Sequence, residues 1–248
     1  YNSALQFIPI SQITGTGDGN QFYSLFRDSK GFYWFGGANG LIRFTDPAGE
    51  RHDAIWYRMG DKTYPLSHNR IRHIYEDKEQ QLWIATDGSI NRYDYATRQF
   101  IHYNIVDNTG TYNTNWTYYI FEDTAGQLWI STCLGGIFVV DKRKLMQSTS
   151  GQYIAEQNYS VHNGLSGMFI NQIIPDNEGN VWVLLYNNKG IDKINPRTRE
   201  VTKLFADELT GEKSPNYLLC DEDGLLWVGF HGLSLIHISE PTRLLSIS

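Results

Sequence analysis

The sequence predicts an all-β protein built as a β-propeller of four-stranded blades, and three observations carry that expectation. A unit running from Asp to Trp recurs five times: "DSKGFYW" (28–34), "DKEQQLW" (77–83), "DTAGQLW" (123–129), "DNEGNVW" (176–182) and "DEDGLLW" (221–227). Its tryptophans, Trp34, Trp83, Trp129, Trp182 and Trp227, follow one another at 49, 46, 53 and 45 residues, a period that fits four short strands per repeat. Composition agrees, because 14% aromatic residues and 23 Gly against 7 Pro suit many short strands joined by turns better than a helical bundle.

The elements of a blade then follow in order. An apolar run precedes each unit, as in "IRHIYED" (71–77) and "YYIFED" (118–123), and forms the inner strand. Asp28, Asp77, Asp123, Asp176 and Asp221 open the first hairpin turn, where a carboxylate accepts backbone amides. The Gly three residues later takes positive φ. Gln80 stands in its place in the second repeat, so that turn either carries about 1 kcal/mol of strain or adopts another form. The repeated Trp lies on the second strand, where it packs between adjacent blades as core. A Gly- or Asn-rich turn follows, such as "GGANG" (36–40) or "NNKG" (187–190), then a third run ("LIRF", "GIFVV") and a fourth ("QFIHYNI", 99–105).

The acids of the fifth unit look in isolation like part of a calcium loop. They run into Leu225, Leu226, Trp227 and Val228 without the closing Glu such a loop needs, so they are hairpin chemistry. No metal or cofactor is expected. A net charge of −6 argues against a nucleic-acid surface, and the one compact basic run, Lys142-Arg143-Lys144, reads as a solvated turn. No apolar stretch is long enough to cross a bilayer. Cys133 and Cys220 leave a disulfide open but show no zinc spacing. "GTGDGN" (15–20) precedes a strand rather than a helix, so it reads as a turn and not a phosphate loop.

The internal repeats allow columns to be compared. A column that recurs serves the blade, and one that varies is free for function. Seven residues ahead of each Asp stand Gln21, Arg70, Trp116, Phe169 and Ser214; four ahead stand Ser24, His73, Tyr119, Gln172 and Tyr217. These lie where inner strands begin, at one face beside the channel of a propeller. Trp116, within "TYNTNWTYY" (111–119), has Asn113 and Asn115 beside it. An aromatic face with amide neighbours suits a sugar ring. The candidate ligand-binding residues are therefore Arg70, His73, Asn113, Asn115, Trp116, Tyr119, Phe169, Gln172 and Tyr217; no catalytic residue is identified.

The blocks "NRIRHIYEDKEQQLWIATDGSINRYD" (69–94) and "GLSGMFINQIIPDNEGNVWVLLYNNKGIDKIN" (164–195), with "GFYWFGGANGLIRFTD" (31–46) and "LQFIPISQITG" (5–15), resemble two-component regulator propeller repeats. These form the periplasmic sensor regions of Bacteroidetes hybrid two-component systems. The resemblance spans about residues 5–232. It implies a partial ring, about four and a half blades of roughly seven, with residues 5–12 supplying an outer strand of the last blade. It also implies a non-enzymatic periplasmic sensor of glycan-derived oligosaccharides, homodimeric as a receptor, signalling through a membrane helix to a histidine kinase outside this chain. Blade four departs from the pattern, since "VLLYNNKG" lacks the small residues that follow the first three tryptophans. Residues 233–248, "LSLIHISEPTRLLSIS", do not continue the repeat and resemble a translated sequencing adapter. The expected organisation is a propeller domain over 1–232 and a non-native tail over 233–248. Two alternatives remain open: a propeller lyase or sialidase-like hydrolase, with Arg70, His73 and a nearby carboxylate clustered at the channel mouth, or a protein-binding scaffold.

Overall fold

The computed structural model describes residues 21–45, 54–63, 65–149, 151–186, 190–204 and 215–230, and the backbone of 235–238 and 244–247. Residues 5–12, the "GTGDGN" stretch, Ser214 and most of the "NNKG" turn lie outside the described residues.

The repeats fold as five antiparallel sheets of four strands, each in chain order. Blade 1 comprises β1 (Phe22–Arg27), β2 (Tyr33–Gly37), β3 (Gly40–Phe44) and β4 (Ile55–Tyr57). Blade 2 comprises β5 (Ile71–Glu76), β6 (Leu82–Thr86), β7 (Ser89–Asp94) and β8 (Gln99–Tyr103). A short strand, β9 (Ile105–Val106), leads into blade 3, which is built from β10 (Thr117–Glu122), β11 (Gln127–Thr132) and β12 (Ile137–Asp141). Helix α1 (Lys142–Gln147) and β13 (Tyr153–Ile154) come next, before the blade's outer strand β14 (Gln157–Tyr159). Blade 4 is β15 (Ile170–Pro175), β16 (Val181–Leu185), β17 (Ile191–Asn195) and β18 (Glu200–Leu204). Blade 5 is β19 (Pro215–Cys220), β20 (Leu226–Phe230), β21 (Leu235–Ile238) and β22 (Leu244–Ile247). The last two strands thus come from the stretch expected to fall outside the repeat. Residues 1–102 and 103–248 form two compact units.

One hairpin holds every blade together, and its geometry repeats five times. Oδ1 of Asp28, Asp77, Asp123, Asp176 and Asp221 accepts the amides two and four residues on, at 2.8–3.1 Å. Oδ2 accepts the indole N–H of the repeated Trp at 2.7–3.1 Å. The constant offset of six residues is therefore the reach of a side-chain bond across the turn. Both oxygens of Asp221 face N–H donors, which is the reverse of a cation site. Gln80 takes φ +61° where the other repeats have Gly, so this turn keeps the common form and carries the strain.

In the first unit, Trp34 is fully buried between blades 1 and 2, stacked on Tyr57 (5.9 Å) and edge-on to Tyr93 (5.0 Å). A Cβ on Gly36 would stand 2.4 Å from Ile71 Cγ2, so the small residue lets blade 2 approach. The turn of blade 1 is tied across as well: Tyr95 OH donates to Asp28 Oδ2 (2.7 Å), and Glu76 accepts both Ser29 N and Ser29 Oγ (2.9 Å each).

In the second unit, Trp182 and Leu184 pack on Leu218, Leu226, Val228 and Phe230 of blade 5. Trp129 lies between Phe121 and Tyr159, nearly parallel to both. Four of the five tryptophans are buried. Trp227 is only half-buried.

The basic run 142–144 is corrected from a solvated turn to the start of α1. Asp141 caps the helix by accepting Lys144 N (3.1 Å), and Lys142 is buried with Nζ 2.7 Å from Glu122 Oε1. Cys133 is buried and Cys220 half-buried, and no disulfide joins them.

Candidate ligand-binding face

In the first four repeats the residue seven positions ahead of the Asp stands directly before its inner strand. Its carbonyl accepts a backbone N–H from the end of the second strand: Ala38 to Gln21 (2.9 Å), Asp87 to Arg70 (3.2 Å), Cys133 to Trp116 (2.9 Å) and Tyr186 to Phe169 (3.0 Å). Each of these four blades thus displays a pair of residues at one end. The second member, four residues after the repeated Trp, was missed at the sequence level. Its signal was the same variability: Ala, Asp, Cys and Tyr in one column.

A second device recurs at this end. Every inner strand shifts register after its first residue, leaving Tyr23, Arg72, Tyr118, Asn171 and Asn216 as the extra residue of a bulge. A bulge bends the strand and re-aims its side chains.

In blade 2 of the first unit the pair is charged, Arg70 with Asp87. Asp87, whose side chain is only 7% exposed, lies 3.8 Å from Arg70 Nη1. It is gripped by the bulged Arg72 through Nε (2.7 Å) and Nη2 (3.2 Å). His73 is half-buried and stacks over Tyr75 at 6.4 Å.

In the second unit three of the four pair members are exposed aromatics, the fourth being the buried Cys133. Trp116, Phe169 and Tyr186 are 48%, 43% and 55% exposed, with Leu134 beside Cys133 also exposed. Trp116 sits at φ +55°, a conformation rare for a bulky residue that the surrounding structure must enforce. A cavity of about 130 Å³ is lined by Tyr118, Cys133, Phe169, Ile170, Asn171 and Tyr186. The loop leading to Phe169 is anchored by Asp192, which accepts Ser166 N and Ser166 Oγ at 2.7 Å each. Burial pushes the Asp192 carboxyl above its ordinary value, and the two bonds from Ser166 oppose that.

Of the other expected residues, Asn113 and Asn115 are exposed beside Trp116, with Asn113 Oδ1 accepting Asn115 N (3.0 Å). Tyr119 is half-buried on β10, and Tyr217 is exposed on β19. Gln172 is corrected from ligand contact to structural tie. It is buried, its Nε2 donates to Leu218 O (3.0 Å) and its Oε1 accepts Leu218 N (2.7 Å), so its amide is spent on the neighbouring blade.

Residues 16–39 and 65–88 match the family described as two component regulator propeller. Two stretches of the chain are thus similar to two-component regulator propeller repeats. Over its whole length it is similar to the extracellular domain of BT4673 from B. thetaiotaomicron. Of two structures of that domain, one described as from a hybrid two component system shares 94% identity at TM-score 0.93, and one described as from a one component system shares 93% at 0.91. The chain spans about a third (33%) of that domain's length. The extracellular domain of a second B. thetaiotaomicron hybrid system, BT3049, matches 95% of the chain and 30% of its own at 20% identity and TM-score 0.74. Virginiamycin B lyase from Staphylococcus aureus matches 94% of the chain and 71% of its own at 14% identity and TM-score 0.68. At those identities the last two likenesses concern the propeller fold alone. No curated protein matches the chain.

Proposed function

We propose that these propeller repeats belong to the extracellular sensor domain of a hybrid two-component system and that they recognise oligosaccharides released from glycans. The observation that carries the ligand reading is the exposed aromatic ledge of Trp116, Phe169 and Tyr186, held at the variable blade ends. The C–H faces of sugar rings stack on such surfaces while amides bond their hydroxyls. The likeness to the BT4673 extracellular domain supports the sensor assignment and a periplasmic location. Signalling follows if the ligand binds one arrangement of the receptor, a homodimer, better than another. The signal then passes through a membrane helix to a histidine kinase, both outside this chain. The region itself performs no chemistry in this reading. The carboxylate nearest Arg70 is held in a two-point salt bridge by Arg72 rather than free to act as a base.

The domain organisation follows the same reading, with a native segment over 1–232 and a replaced stretch over 233–248. Sixteen residues of 248 match in size the 6–7% by which the chain differs from the BT4673 structures. Reading the native locus past codon 232 tests this: further blades, a membrane helix and a kinase are expected, and an immediate stop or a secreted catalytic domain overturns it. For the ligand, calorimetry with glycan-derived oligosaccharides should show at least a tenfold loss of affinity in Trp116→Ala. Absence of saccharide binding by the complete extracellular domain would refute the glycan reading in favour of a protein-binding scaffold.

A further inference from the structure

Blade 3 carries the longest interval between repeated tryptophans, and the additional chain supplies one wall of a second cavity of about 500 Å³, within the size range of small-molecule sites. One wall is the turn Asp107–Tyr112; the other is the segment 155–163 around β14. The two walls are joined by β9 and β13, which pair in parallel with Ile105 opposite Tyr153 and Val106 opposite Ile154.

Each wall is stiffened from within. Asp107 accepts Tyr112 N (2.8 Å) at Oδ1 and Thr109 Oγ1 (2.5 Å) at Oδ2. Ser160 N donates to Asn163 Oδ1 (2.6 Å), and His162 N donates to Ser160 Oγ (3.3 Å), closing a capping box. Tyr112 OH and His162 Nε2 stand 3.4 Å apart at one edge. Walls set by their own hydrogen bonds suit a preorganised site.

The lining chemistry is hydroxyl and amide: Asn108, Thr109, Thr111, Gln157 and Asn158 among others. Its two carboxylates are Asp107 and Glu156, and no Lys or Arg lines it among the described residues. Glu156 is itself occupied, accepting Tyr153 OH (2.7 Å) and Asp141 N (2.9 Å), with Lys144 Nζ at 3.5 Å on its outer side. A sulfated or uronic group would meet negative charge there without a counter-charge in the lining. The cavity is linked to the aromatic ledge through the turn after β11: Asn158 Nδ2 donates to Gly135 O (2.9 Å), two residues from Cys133 of the smaller cavity.

We propose that this cavity is a second subsite that takes an uncharged, hydroxyl-rich ring, so that blade 3 selects neutral over anionic saccharides. The proposal rests on the glycan reading above and adds the ligand's charge class and the place of a second unit.

The test is calorimetry on the intact chain with maltotriose, mannotriose, xylotriose and galactotriose, and with a heparin disaccharide as anionic counterpart. At least one neutral trisaccharide should bind and the heparin disaccharide should not. Thr111→Trp, an exposed position that fills the cavity, should lower affinity for the bound trisaccharide at least tenfold. Asn108→Ala serves as the milder variant, with an expected loss of about threefold, and circular dichroism checks that both fold. Unchanged affinity in both variants, while Phe169→Ala abolishes binding, overturns the subsite and leaves the glycan reading standing. Preference for the heparin disaccharide overturns the charge selection. Failure of every saccharide with the chain and with the complete extracellular domain overturns both.

Discussion

The two ends of a blade follow opposite rules. At the hairpin end, Asp28, Asp77, Asp123, Asp176 and Asp221 make the same three side-chain bonds in every repeat. At the other end the main chain is equally regular, with the same bulge in every blade and the same bond from the second strand in four. There the side chains run from Arg70 and Asp87 in blade 2 to Phe169 and Tyr186 in blade 4. Regular backbone beneath divergent side chains separates what builds the blade from what the blade can present to a partner.

The sharpest way to break this contrast is at the hairpin end. Trp129→Ala removes a buried ring stacked between two others and should cost about 3–5 kcal/mol in denaturant unfolding. A near-neutral result would overturn the assignment of that column to the core. Asp123→Ala strands two amides and an indole N–H; a loss of about 2–3 kcal/mol is expected, as for hydrogen bonds to a charged group. Gln80→Gly should gain up to about 1 kcal/mol by relieving the positive φ. At the variable end the effect on stability should be smallest. Phe169→Ala, at an exposed site, should shift unfolding by less than about 0.5 kcal/mol while saccharide binding falls.

Acid sharpens the same comparison. The Trp227 indole N–H, with the amides of Leu225, Asp223 and Gly224, holds the Asp221 carboxyl below its ordinary value of 3.8, against a smaller opposing effect of desolvation. A depressed folded pKa contributes stability that is present above the unfolded value and lost as pH falls through the folded one. Acid titration of unfolding below about pH 4 should therefore show a loss that Asp221→Asn reduces. An identical acid profile in the variant would count against the carboxylate as the anchor of that hairpin.

The fold was legible because a repeat exposes its own rules: five Asp–Trp units at one offset give the blade, its first hairpin and the position of the inner strand. The indole bond could have been read from that constant offset. The bulges could not, since Tyr23, Arg72, Tyr118, Asn171 and Asn216 share no chemistry; their common property is a backbone register. Helix α1 left two marks, an Asp at its cap and Leu145 on its buried side, which the neighbouring charges of Lys142, Arg143 and Lys144 obscured. Column variability selected Trp116 and Phe169, which are exposed, and it also selected Gln172, whose amide is engaged with Leu218, because a residue that differs between blades can still serve a joint particular to one pair. The blade 3 cavity depends on β9 meeting β13 across nearly fifty residues, a pairing that local pattern does not announce.

The joint made by Gln172 has a mechanical consequence. Its amide engages the N–H and C=O of Leu218 together, so a side chain stands in for one rung of a ladder between inner strands of blades 4 and 5. A peg of this kind resists sliding of one strand past the other, and Asn171 Nδ2, donating to Asn216 O (3.2 Å), adds a second point beside it. Phe169 lies three residues before the peg and Tyr217 one residue before its socket. Both exposed side chains therefore stand beside a joint whose spacing the two bonds of Gln172 fix.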